Sequence, residues 1–170
     1  MWNPEWKAGP GSDTLIEWPT GTGAEGTSGM LNAVQASKGS IGYVEYGQAA
    51  RLGLSVAQLS NGSGAFIAPS PEIFAKTAAE ADWDPARGFY LQLTDVKTAG
   101  AYPLAGATFV LMHKNERSTA RTRRTLFFLN YALERGGPDA AALGYVPLPA
   151  ALVKKVKSYW HEVLPGAAGL

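Results

Sequence analysis

Hydrophobic positions along this chain alternate between helical spacing and short apolar runs, with glycine, proline and small polar residues between them. Met30, Leu31 and Val34 fall on one helical face. They predict a helix over roughly Gly29 to Ser37 that Thr27 or Ser28 can cap and Lys38-Gly39 ends. Candidate strands flank it at Thr14 to Trp18 and Ile41 to Tyr46, so the first part reads as strand–helix–strand. A short helix over Gln48 to Leu52 follows. Val56 to Leu59 and Ala65 to Ala68 then read as two strands joined by Ser60-Asn61-Gly62-Ser63-Gly64, a hairpin signal. Ser70-Pro71-Glu72 starts a helix running to about Ala81, with Ser70 capping, Pro71 at the first helical position, and Phe74, Ala78 and Ala81 on the apolar face.

Further along, Ala105 to His113 is a nearly continuous apolar run and the longest strand candidate, of the kind covered on both faces. Glu116 to Arg135 is the longest helix, stopped by Gly136-Gly137-Pro138. A short helix over Asp139 to Leu143 leads through Tyr145-Val146-Pro147-Leu148-Pro149 to a last helix from about Ala150 to Leu164. Phe127, Phe128 and Tyr131 read as core residues, and the tryptophans as core or lobe-surface packing. Pro165 to Leu170 reads as a frayed tail. There is no internal repeat and no low-complexity tract.

Composition narrows the classes. The 170 residues are 46% hydrophobic and 17% charged, with a net charge of +1, so nothing argues for long-range attraction to nucleic acid or an anionic membrane. No cysteine is present, which excludes disulfides, thiolate nucleophiles and cysteine-based metal sites. Met1-Trp2-Asn3-Pro4-Glu5-Trp6 has neither a basic n-region nor an apolar h-region, so the chain as written carries no signal peptide. No apolar run approaches the roughly 18–20 residues that would span a bilayer.

The candidate chemistry centres on the bend between Trp18 and Met30. Gly21, Gly23 and Gly26 spell G-x-G-x-x-G, with Glu45 where a ribose-binding acid would stand in a dinucleotide unit. Against that reading, Pro19 and Thr20 separate the strand from the first glycine, and a hairpin rather than another parallel unit follows. The same bend can hold an anion without a nucleotide, because a helix N-terminus offers unpaired N–H groups and partial positive charge. Gly26, Thr27 and Ser28 are the candidate ligand-binding residues, beside the alternative that they merely turn the chain and cap the helix. His113 and His161 have no local ligand partner, and Asp82-Trp83-Asp84 reads as a solvated helix end. No G-x-S-x-G elbow is present, and nothing makes an enzyme. Arg117, Arg121 and Arg124 form a basic stripe on the long helix, read as a solvated face, with docking to a partner protein as the functional alternative. No metal site and no cofactor is expected.

Several segments, in order, resemble the phosphate-binding protein family of bacterial high-affinity phosphate ABC transporters. They are Pro4-Glu5-Trp6-Lys7, Glu17-Trp18-Pro19 with its glycine bend, and Gly39-Ser40-Ile41-Gly42-Tyr43-Val44-Glu45-Tyr46. Ala81-Asp82-Trp83 and Tyr102-Pro103-Leu104 leading to Thr108-Phe109-Val110-Leu111 come next, then Gly144-Tyr145-Val146-Pro147-Leu148-Pro149 before Tyr159-Trp160. The resemblance implies an α/β fold of the type II periplasmic-binding-protein kind, in which two lobes close on one phosphate. It covers only the C-terminal half of such receptors: residues 1–101 as part of lobe two, and residues 102–170 as the segment returning to lobe one. The family's phosphate ligands lie mainly in the first half and in an Arg-x-Asp-x-Ser-Gly-Thr segment expected upstream of Met1. At the bend, this chain has Gly26-Thr27-Ser28-Gly29 where the family commonly has Gly-Asn, an acid and Gly.

The expected function is therefore part of the substrate-binding component of a phosphate transporter, binding inorganic phosphate for uptake and working with a membrane permease. The alternative is a stand-alone interaction or scaffold protein that kept the fold without the ligand. An incomplete lobe exposes sheet edges and apolar faces, so a missing N-terminal half or a homo-oligomer is expected to cover them. The resemblance implies a periplasmic location, while the absent signal peptide implies the cytoplasm for the chain exactly as written.

Overall fold

Local capping signals place several helices in the computed structural model, which describes residues 3–13, 15–96, 98–114 and 119–167. Helix α1, Pro4–Ala8, starts where the Asn3 side chain accepts hydrogen bonds from the Glu5 and Trp6 amides, with proline at its first position. Helix α2 is Gly26–Ala36 and helix α3 is Tyr46–Arg51. The hairpin forms as its sequence predicts, though shorter. Strand β1, Leu59–Ser60, pairs antiparallel with β2, Phe66–Ile67, Leu59 opposite Ile67. The buried Asn61 organises the turn, its Oδ1 accepting from the amides of Ser63 and Ala65 and from the Ser63 hydroxyl.

Helix α4, Pro71–Glu80, has the predicted Ser70 cap, whose hydroxyl accepts from the Ile73 amide. A 3-10 turn at Pro85–Arg87 follows, capped by Asp84. Helix α5, Thr119–Arg135, agrees with the expected long helix from Thr119 onward; Glu116 and Arg117 lie outside the described residues. Helices α6, Gly137–Ala142, and α7, Ala150–Val163, complete the order.

The core forms where the middle of the chain meets α7. Trp83, Phe89, Leu93 and Leu152 are buried together, with Ala78, Ala81, Val156 and Tyr159 packed around them. The Trp83 indole N–H donates to the Ala78 carbonyl at 2.7 Å, and the Lys155 ammonium donates to the Trp83 carbonyl at 2.6 Å. Phe89 meets Tyr159 edge to face, with centroids 5.3 Å apart. Asp82 and Asp84, on either side of Trp83, both pair with Arg87. A second cluster gathers Leu126, Leu164 and Ala167, with Met112, Trp160 and Val163 against it. The stretch after α7 therefore does not fray as expected through Ala167, because Ala167 is buried beneath α5; residues 168–170 lie outside the described residues.

Three expected strands do not form. Leu15 to Trp18, Ile41 to Glu45 and Ala105 to His113 carry no sheet ladder; Tyr46 instead opens α3, and Thr14 lies outside the described residues. The sheet among the described residues is β1–β2, besides an isolated antiparallel bridge between Thr94 and Leu104. A strand persists only when neighbours satisfy its N–H and C=O groups, and among the described residues none runs alongside these segments. The architecture among the described residues is thus helix-rich with a small sheet, a partial α/β arrangement.

The core assignment of three aromatics also fails. On α5, Thr122 and Leu126 are buried and Leu129, Asn130 and Leu133 are half-buried along one stripe. Phe127, Phe128 and Tyr131 occupy the opposite face at 68%, 66% and 58% exposure. Helical geometry puts the two stripes on opposite sides, and among the described residues only one side is covered.

Candidate functional site

The bend at Gly26, Thr27 and Ser28 is built by a glycine start to α2. Gly26 has φ +63, a conformation that suits glycine, and the helix runs directly from it. Glu25 is the residue before the helix and makes no side-chain cap. Thr27 and Ser28 therefore lie inside the first turn rather than capping it, since α2 begins earlier than the apolar periodicity alone predicts. That periodicity marks the buried face and is silent about a polar first turn.

Within that turn, Thr27 and Ser28 point to different surroundings. The Thr27 hydroxyl donates to Oε2 of Glu45 at 3.3 Å. Glu45 is itself the residue preceding α3. Ser28 lines a cleft of about 400 Å³ between α2 and α3, together with Leu31, Asn32, Gln48, Arg51 and Leu52. In the cleft, the Arg51 guanidinium donates to Oε1 of Gln48. The 39–45 segment is held against α2 by close approach: an added Cβ at Gly42 would meet Met30 Sδ at 2.6 Å and Val34 Cγ2 at 2.8 Å.

Electrostatically the bend is already supplied with an anion. The Glu45 carboxylate lies at the positive end of α2, which stabilises the helix and opposes the approach of a second negative charge there. A pyrophosphate on a G-x-G-x-x-G turn would need that same space, and the parallel strands such a unit requires are absent among the described residues. The nucleotide reading therefore fails on both counts. Arg51 and Gln48 were not singled out from the sequence. Their i, i+3 spacing on a short helix was the available signal, and only the folded cleft shows that they face Ser28.

The remaining candidates stay apart from the bend. His113 and His161 are exposed, and among the described residues no group of His, Asp and Glu side chains is placed to hold a metal ion. Arg117 lies outside the described residues, and Arg121 and Arg124 are on the exposed surface of α5. No helix among the described residues is long and apolar enough to cross a membrane. Away from the bend, Gly47 of α3 and Gly144 after α6 touch backbone to backbone, and a Cβ added at either would meet the other at 2.7 Å.

No protein-family model matches the chain. Among curated proteins, it is 41% identical over 156 residues to a phosphate-binding protein PstS of Xylella fastidiosa, covering 92% of this chain and 43% of that protein. A phosphate-binding protein PstS of Pasteurella multocida is 36% identical over 165 residues, covering 97% of this chain and 48% of the relative. One from Methanocaldococcus jannaschii is 29% identical over 166 residues. The chain spans about half the length of the curated relatives it matches.

Proposed function

We propose that this chain, which is related to the phosphate-binding proteins along nearly its whole length, is a portion of the substrate-binding component of a phosphate ABC transporter. The observation that carries the reading is the identity of 36–41% to proteins of that name over 92–97% of the chain. The portion corresponds to the C-terminal half of a type II periplasmic-binding-protein fold. Residues 1–101 belong to lobe two and residues 102–170 return to lobe one, with the membrane permease as partner and the periplasm as location. Its role is binding rather than catalysis, as the relatives' names describe.

In the completed receptor, hydrogen-bond donors capture the phosphate and closure of the lobes presents it to the permease. The segments proposed for the two lobes meet at the Gly47–Gly144 crossing and in the core joining Trp83 to Leu152. Gly26, Thr27 and Ser28 remain the candidate anion contacts of this portion, and Glu45 makes their contribution small. Thr27→Ala is expected to change phosphate affinity of the completed receptor by less than ~3-fold, well under the tenfold that 1.4 kcal/mol represents.

A chimera in which this sequence replaces the matching part of the Xylella protein tests the function by isothermal titration. Saturable phosphate binding unaffected by sulfate is expected, while the 170-residue chain alone gives no phosphate heat. A folded chimera that ignores phosphate would overturn the reading and leave the scaffold alternative. Tight binding by the chain alone would overturn the assignment of the main ligands to the other half.

A further inference from the structure

Helix α5 carries large apolar side chains on two opposite faces, with Arg121 and Arg124 beside those of the outer one, and among the described residues only the inner face is covered. Leu126 is buried against Met112, Leu164 and Ala167, and Thr122 one turn earlier is buried too, while Phe127, Phe128 and Tyr131 face solvent. A helix that is hydrophobic on both sides belongs inside a larger core. Nearby in sequence, Val110 and Leu111 are exposed at 62% and 94% in the apolar segment that was expected to be a doubly covered strand. In the first part of the chain, Ile41 and Tyr43 are likewise exposed, at 90% and 72%, in a strand-forming segment with no ladder.

The amount of exposed surface says what size of partner is needed. The chain exposes 12424 Å². A compact monomer of 18.0 kDa exposes roughly 8,000 Å² by the usual scaling of surface with mass. A standard interface hides only about 800 Å² per partner, a small part of that excess. A second copy meeting this one across a two-fold axis would cover one patch and leave the other unpaired segments open. A polypeptide as large as the chain itself matches the deficit, and the curated relatives are about twice as long as the region they share with it.

We infer that the Phe127–Phe128–Tyr131 face of α5, with the unpaired 105–111 and 41–45 segments, is a docking surface for the part of the phosphate-binding protein that this chain does not span. The inference rests on the family relationship, but not on phosphate being the ligand. The 105–111 and 41–45 segments gain ladder partners, and the aromatic face becomes the second covered side of α5.

The chain contains no cysteine, so a single Phe128→Cys substitution is a clean reporter. Its maleimide labelling is compared in the isolated chain and in the Xylella chimera, read by peptide mass. Labelling slowed by at least ~10-fold in the chimera is expected, and equal rates overturn the inference whether or not the chimera binds phosphate. In a second measurement, the chain is co-expressed with the unmatched part of the Xylella protein. A one-to-one complex is expected, and Phe127→Glu should weaken it by ~30-fold or more, the effect of losing a central aromatic anchor. Homodimers blocked by Phe127→Glu, with no mixed complex, would assign the surface to a second copy instead.

Discussion

At the scale of single residues, the contact between Gly47 and Gly144 admits no side chain on either partner. Gly47→Ala is expected to destabilise the chain by about 1–3 kcal/mol, the usual cost of overpacking, seen as a lower urea midpoint. Gly23→Ala, where an added Cβ meets nothing within 4 Å, should shift stability by no more than about 0.5 kcal/mol. Ser70→Ala removes the cap of α4 and should cost about 1 kcal/mol. The Ser70 cap was legible in the sequence because it involves residues three apart and proline chemistry that acts locally. The glycine crossing was not, because it joins distant segments whose approach only tertiary packing decides. At the candidate site, the glycine bend and its helix were legible for the same local reason. The pairing of Thr27 with Glu45 was not, because that carboxylate reaches the bend from beyond the helix it contacts.

Among elements, α5 and α7 are tied by an ion pair between Glu134 and Lys157. The Lys157 ammonium, by hydrogen bond and charge, holds the Glu134 carboxyl below the ordinary glutamate range. A depressed carboxyl pKa contributes stability that is present above the unfolded value and lost as pH falls through the folded one. The stability difference between the parent chain and Glu134→Gln should therefore be visible at neutral pH and shrink in acid, measured by urea unfolding across pH. It should also shrink with added salt, since both partners are partly exposed. Helices α4, α5 and α7 were legible because helical hydrogen bonds are internal to the element and leave a periodic trace. The three missing strands show the converse. Their apolar, β-prone residues describe the environment in which such segments are stable, and that environment includes neighbouring strands that are absent among the described residues.

For the whole molecule, the surplus of exposed surface has a thermodynamic signature. The denaturant slope m follows the area newly exposed on unfolding, so a chain already this open should unfold in urea with a smaller m than a compact 170-residue domain. Joining it to the remainder of the Xylella protein should raise m by more than the sum of the separate parts. The likeness to the phosphate-binding proteins was legible from short segments in order, yet the extent of the exposed apolar surface was not. Apolar residues such as Phe127 and Phe128 look the same in sequence whether or not their neighbours are present.

The burial of Trp83 beneath α7 also gives the protein an optical readout of its own. Its indole is shielded from water and hydrogen-bonded to Ala78, whereas Trp18 is 55% exposed beside Trp6 and Tyr43. Buried indoles emit to the blue of solvated ones, so the two environments contribute to different parts of the fluorescence band. Release of α7 would move the blue component toward longer wavelength. Covering the Trp18 row would move the red component the other way. One emission spectrum can therefore report separately on loss of the existing core and on growth of a new one.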